Sequence, residues 1–289
     1  MPVPKYTYFS PADAQRSSRL QFKAKTLVEG VMTGLHKSPN RGFSVEFSEH
    51  REYVPGDELR HLDWRALARS GRHYIKLFEQ ETNLRAMLVL DASKSMNFGN
   101  KLDFAKHLAA CVAYVLANQQ DSVGLFTADA KEPLHLEPSS SPAHIDRLFR
   151  SLETIQPGNQ STLPAQLHTL SEQLPRRSVV FIVSDLWTDE NELRRSLQHL
   201  RRKKHHVIML HLIDQREVEL PFSNHVRLED LETGEAIDAD LESLRDSYRE
   251  NIDAYFAKVR RSCAESSVDY HRIEVSEPFE QVLIRLLNR

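Results

Sequence analysis

The apolar positions of this chain come in two rhythms. Three short runs are nearly continuous in Val, Ile and Leu: "AMLVLD" (86–91), "SVVFIVSD" (178–185) and "HVIMLHLID" (206–214). A strand that is apolar on both faces must be covered on both, so these runs predict buried parallel strands. "SVGLFTA" (122–128) is a weaker example, and "VDYHRIEV" (268–275) alternates, which predicts a place toward a sheet edge. Between these runs the spacing becomes helical. Residues 101–119 set Leu102, Ala105, Leu108, Ala109, Val112 and Leu116 along one stripe. Further helices are predicted over 141–155, which opens with Ser and Pro, and over 162–174, 189–203, about 239–265 and 278–288. Such strand–helix alternation predicts an α/β fold with a doubly wound, mostly parallel, Rossmann-type sheet.

Residues 1–84 follow another pattern. "RLQFKAKTLVEGVMTGL" (19–35) is helix-like, Phe43, Val45 and Phe47 keep a strand rhythm, "PGDE" (55–58) is a turn, and 72–81 alternates again. This predicts a small N-terminal α+β element over 1–84 and the α/β domain over 85–289.

The 289 residues are 40% hydrophobic and 27% charged with a net charge of -3, enough apolar material for a substantial core. The charge balance argues against nucleic-acid binding, which calls for a basic excess. Two cysteines, Cys111 and Cys263, both in helical patterns, are read as reduced packing residues. The apolar runs are too short to cross a bilayer, and "MPVPKYTYFSPADAQ" lacks the charged-then-apolar order of a signal peptide. The expectation is a cytoplasmic protein with no integral membrane segment.

Candidate chemistry begins where "LVLDASKSMNFG" (88–99) leaves its apolar run. In open α/β sheets ligands sit at the carboxyl ends of the strands. Asp91 and Asp185 end two strong strands, Ser93 and Ser95 lie in the loop after the first, and Ser161 and Thr162 precede a helix. Two carboxylates with three or four hydroxyls are hard oxygen donors, which suit Mg²⁺ and not zinc. Neutral hydroxyls leave such a cation poorly neutralised, so it should recruit a carboxylate from a partner protein. Beside this stands helix capping, the commonest use of Ser, Thr and Asp at such places.

"DASKS" resembles the Asp-x-Ser-x-Ser motif of von Willebrand factor A-like domains, whose metal-ion-dependent adhesion site binds Mg²⁺. Asp185 in "FIVSDLW" matches the family's later Asp. Its Thr falls at Ser161 when the loop is aligned on Leu163, with Thr162 beside it. Residues 51–81 resemble one bacterial branch, the domain-of-unknown-function family fifty-eight, through Tyr53, Gly56, Asp57, Arg60, Asp63, Trp64, Ala68 and Arg69, and "LEDLETGEAID" (228–238) matches a further segment of it. The resemblance covers about residues 20–289. It implies a von Willebrand A-like fold, with Asp91, Ser93, Ser95, Ser161, Thr162 and Asp185 around Mg²⁺ (or Mn²⁺ or Ca²⁺). Members are commonly encoded beside MoxR-type AAA+ ATPases. The implied role is therefore a non-enzymatic adaptor for such an ATPase, engaging an acidic residue of a client, in protein maturation or complex assembly. The residues of 51–69 also have a structural reading, with Gly56 and Asp57 in a turn, Trp64 in a core and Arg60 paired to Asp57 or Asp63.

The alternative is a Mg²⁺-dependent hydrolase using the same site, although no general base stands near the ligands. A haloacid-dehalogenase-like phosphatase needs an acid where Ser93 stands. There is no Gly-x-Ser-x-Gly elbow and no Walker loop. His205 and His206 are adjacent and so point to opposite strand faces. "RRKKHH" (201–206) suits a helix C-terminus. Asp214 is a candidate helper behind the ligands.

Overall fold

A computed structural model describes residues 19–36, 50–52, 74–76, 84–158, 161–221, 225–229 and 236–287. Within them the elements run α1 (Arg19–His36), β1 (His50–Glu52), β2 (Tyr74–Lys76), β3 (Arg85–Asp91), a 3₁₀ segment (Lys94–Asn100), α2 (Lys101–Asn118), β4 (Ser122–Ala128), β5 (His135–Ser139), α3 (Pro142–Thr154), α4 (Leu163–Gln173), β6 (Val179–Ser184), α5 (Glu190–Arg202), β7 (His206–Ile213), α6 (Gln215–Glu219), β8 (His225–Glu229), β9 (Ala236–Asp240), α7 (Leu241–Glu265), β10 (Asp269–Glu274) and α8 (Phe279–Leu287). The described residues divide into two units. One joins α1 as far as Met32 to everything from Leu84 onward, and the other is Thr33–Asn83.

The larger unit is built on a six-stranded sheet of order β10-β7-β6-β3-β4-β5. Every neighbouring pair is parallel except β4–β5. This is the doubly wound, mostly parallel α/β arrangement expected from the sequence. The reason is visible in β3, which is buried from Ala86 to Asp91 and therefore needs helices on both sides. Met87 and Val89 face one layer, with Leu163, Leu167 and Leu170 of α4, Leu193, Leu197 and Leu200 of α5, and Val259 and Cys263 of α7. Helix α2 packs across β3, β4, β6 and β7. β10 takes the edge that its alternation predicts. Cys111 and Cys263 are buried, free thiols.

Two features escape the periodicity. β5 is a short antiparallel edge strand, and β8 and β9 form an antiparallel pair. Neither carries a continuous apolar run. Helix α1 buries Leu20, Ala24 and Val28, one face at helical spacing, and Leu20 N donates to Glu153 Oε1 of α3 at 2.8 Å.

In the smaller unit β1 and β2 pair antiparallel, His50 opposite Lys76. Phe43, Val45, Phe47, the 55–58 turn and the signature residues from Tyr53 to Arg69 lie outside the described residues. Among those described, no helix is long and apolar enough to cross a membrane.

Leu167 is fully buried between α4, β6 and α5. Leu167→Ala is expected to cost roughly 2–5 kcal/mol in chemical denaturation with an unchanged slope. A loss under about 1 kcal/mol would mean that the helix layer collapses to fill the space.

Candidate metal centre

Because β4, β3, β6 and β7 are parallel neighbours, their carboxyl ends finish at one rim. Each delivers an aspartate there. Asp91 is the last residue of β3, Asp129 follows β4, Asp185 follows β6 and Asp214 follows β7. The register sets Asp91 opposite Ala128 and Ser184 opposite His211.

Four of the candidate ligands follow one another in a continuous hydrogen-bonded run. Asp91 Oδ1 accepts from Ser93 N at 2.9 Å and Oδ2 accepts from Ser184 Oγ at 2.6 Å. Ser95 Oγ donates to Asp185 Oδ1 at 3.3 Å. Ser93 Oγ and Ser95 Oγ are in hydrogen-bond contact at 3.0 Å. Asp91, Ser93 and Asp185 are no more than 2% exposed, and Ser95 alone of the four is partly open. Ser93 is the residue before the 3₁₀ segment, yet its hydroxyl makes no capping hydrogen bond. The capping explanation of "DASKS" is therefore limited to the Asp91 carboxylate turning back on Ser93 N.

Thr162 is engaged by a different acid, Asp129. Thr162 Oγ1 donates to Asp129 Oδ1 at 2.6 Å, and Thr162 N donates to Asp129 Oδ2 at 2.7 Å. Gln166 Nε2 donates to both Asp129 and Thr162. Ser161 is half-buried just before α4. The 156–158 loop nevertheless touches the rim, since Gly158 N donates to Ala92 O at 2.8 Å. A Cβ on Gly158 would lie 2.1 Å from Asp129 O, so this approach requires glycine.

The residue that most changes the picture is Lys101. It opens α2, and its side chain is fully buried. Nζ donates to Asp185 Oδ2 at 2.6 Å and to Glu217 Oε1 of α6. Burial works against the charged ammonium, but Asp185 and Glu217 outweigh it and hold the Lys101 pKa above the ordinary lysine value. Asp185 thus offers Oδ1 to Ser95 and gives Oδ2 to Lys101. Glu217 completes a capping box with Asp214 at the start of α6, and its carbonyl accepts from Tyr248 OH at 2.8 Å. Asp214 is bound to Arg216 through Nε and Nη2, both at 2.9 Å. Gly99, at φ 63°, lies so close that a Cβ there would meet Asp214 Oδ2 at 1.9 Å.

Lys101, Glu217, Asp129, Ser184 and His211 were not among the sequence-derived candidates. Asp214-x-x-Glu217 is a legible capping box, and it would have placed Glu217 at this rim. Lys101 reads from the sequence as an ordinary polar residue at the start of a helix. His211 sits behind the site. Its Nε2 donates to Asp185 O at 3.0 Å, because a carbonyl only accepts. Nδ1 is then the acceptor for Tyr270 OH at 2.7 Å. Burial pushes the His211 pKa down to about 3, so the ring stays neutral.

The basic run at 201–206 is engaged at the end of α5. Arg201 Nη1 donates to His205 O at 2.7 Å, and Lys203 Nζ binds Glu172 at 2.6 Å. His206 pairs with Asp269 at 3.1 Å.

The donors on Asp91, Ser93, Ser95 and Asp185 fit a hard divalent cation in their chemistry: all are oxygens, two are carboxylates, and they follow one another in hydrogen-bond contact. Among the described residues no three His, Cys, Asp or Glu side chains converge as metal ligands. Any cation held here depends on the two serine hydroxyls.

The sequence profile of the protein family described as protein of unknown function DUF58 matches residues 49–260, most of the chain. This chain belongs to the DUF58 family. The DUF58 chain is 27% identical over 251 residues to the uncharacterized proteins Rv1480 of Mycobacterium tuberculosis and Mb1516 of Mycobacterium bovis, covering 84% of this chain and 78% of each relative. Solved structures similar to it include the conserved hypothetical protein BatB of Bacteroides thetaiotaomicron (14% identity, TM-score 0.45, covering 71% of this chain and 97% of that one). An aerotolerance-related membrane protein of Bacteroides fragilis matches at 17% identity and TM-score 0.45, covering 71% and 98%. The SpRpn10 VWA domain matches at 15% identity and TM-score 0.40, covering 70% and 95%.

Burial, then the neighbouring Asp185 charge, raise the Asp91 pKa to about 7 in the DUF58 chain, against the 3.8 of an unperturbed aspartate. Between those values the folded state holds a proton that the unfolded chain lacks, so Asp91 adds stability as pH falls. His211 has the opposite sign: below its ordinary pKa of 6.5 the unfolded chain binds the extra proton, and stability falls with pH. Asp91→Asn removes the first contribution and keeps the second. The gap in unfolding free energy between wild type and Asp91→Asn is expected to shift in favour of wild type by roughly 2 kcal/mol on going from about pH 6 to about pH 4.5. Denaturation at the two pH values reads it, and a constant gap would contradict the protonation of Asp91.

Proposed function

We propose that this chain is a Mg²⁺-dependent protein-interaction module. It acts as a cytoplasmic, non-enzymatic adaptor for a MoxR-type AAA+ ATPase in protein maturation or complex assembly. The observation that carries this reading is the oxygen chain Asp91–Ser93–Ser95–Asp185 at the carboxyl rim of a parallel sheet. Asp91 orients the loop by accepting from Ser93 N, and in that loop the Ser93 hydroxyl meets that of Ser95, which in turn meets Asp185. Asp91, Ser93, Ser95 and Asp185 would hold the ion. Bound there, Mg²⁺ supplies an open coordination position for a carboxylate of the partner. Ser161 and Thr162 complete the reading as the hydroxyls of the neighbouring loop, with Thr162 reaching the ion only if its bond to Asp129 opens. The ATPase partner is supported by the likeness of residues 51–81 and 228–238 to a family commonly encoded beside MoxR-type ATPases.

The test is capture of the neighbouring ATPase or its client on immobilised protein, with Mg²⁺ or with chelator, for wild type and Asp91→Ala. Capture is expected to need Mg²⁺ and to fall at least tenfold in Asp91→Ala, as loss of one charged ligand implies. Metal-independent capture would overturn the module. Turnover of a phosphoester panel that vanishes in Asp91→Ala would replace it with the hydrolase reading.

A further inference from the structure

Resting on the metal-dependent reading, we propose that Lys101 is a built-in counter-ion that holds the divalent-cation affinity of the rim low, so that its departure from Asp185 is what opens the site. Lys101 is the only cation in hydrogen-bond contact with Asp185 among the described residues, and it takes Oδ2 at 2.6 Å while Oδ1 faces Ser95. Of the two carboxylates in the oxygen chain, one is therefore already neutralised by the protein itself. The remaining donors are Asp91 and two uncharged hydroxyls, a weak set for a hard divalent ion.

The geometry also gives the ammonium somewhere to go. Glu217 of α6 binds the same Nζ. A cation at Asp185 repels a buried ammonium beside it, and Lys101 can then rest on Glu217 alone without being left unpaired. Glu217 is itself fixed, because it caps α6 at Asp214 N and its carbonyl is bound by Tyr248. The switch therefore runs between two fixed carboxylates, and only the lysine side chain moves.

The experiment is Mn²⁺ titration, by calorimetry and by electron paramagnetic resonance, of wild type, Lys101→Met, Lys101→Arg and Lys101→Met/Asp91→Ala. Lys101→Met is expected to bind Mn²⁺ about tenfold tighter or more, since a neighbouring positive charge has been removed. Lys101→Arg, which keeps the charge, should bind as wild type does. Addition of Asp91→Ala should abolish the gain. Loss of Lys101 also leaves Asp185 and Glu217 unpaired, so Lys101→Met should melt at a lower temperature than wild type without metal and recover more than wild type on adding Mn²⁺. That recovery reads the same coupling if the variant folds poorly. Asp91-dependent binding in wild type with no gain in Lys101→Met overturns the counter-ion role and leaves the metal reading standing. Binding in none of the four proteins overturns both.

Discussion

The rim of this sheet is organised by one buried ammonium. Lys101 is fully enclosed, and its charge is tolerable there only because two carboxylates meet it. Loss of one partner from such a group typically costs about 3–5 kcal/mol, so the three side chains must be positioned together or not at all. Their carriers are α2, the loop after β6, and α6. The cluster thereby ties the end of β6 to α2, the helix between β3 and β4, and to the short helix after β7. Asp185 is set by this constraint, and through Ser95 so is the loop that begins at Asp91.

The same constraint explains why the rim holds so much acid without coming apart. Four parallel strands end in Asp91, Asp129, Asp185 and Asp214, and each is dealt with differently. Asp214 is met by Arg216, Asp129 by Thr162 and Gln166, and Asp185 by Lys101. Among the described residues Asp91 is met by hydroxyl and amide donors alone, from Ser184 and Ser93, and burial beside another acid raises its pKa. Asp91 is thus the one of the four carboxyls that burial drives toward its protonated form, with no cationic partner among the described residues. This is where a divalent cation gains most.

Much of the fold was legible because burial on both faces leaves a plain mark. The runs at 86–91, 178–185 and 206–214 are apolar throughout and end in an acid, so both the strands and the position of Asp91 and Asp185 could be read together. The longer helices could be read from their stripes to within a residue or two at each end, but the short α6 was not. What could not be read depends on chain direction and on long side chains. β5, β8 and β9 are short and mixed in polarity, and antiparallel pairing of such segments leaves little trace in a single strand. Thr162 looked like a ligand because it precedes a helix. Its engagement by Asp129 depends on that residue following β4 at a positive φ of 58°, which no local pattern announces. Lys101 is the sharpest case, since the first residue of an amphipathic helix is expected in solvent and here is fully buried.

The central claim, that the Asp91–Ser93–Ser95–Asp185 oxygens receive a divalent cation, is tested most directly by crystals of the protein soaked in Mn²⁺ and measured for anomalous scattering. The account predicts a peak within about 2.2 Å of the Ser93 and Ser95 hydroxyl oxygens, with Lys101 on Glu217 and no longer on Asp185. A map without a peak at saturating Mn²⁺, with Lys101 still on Asp185 and Ser95 still donating to it, would contradict it.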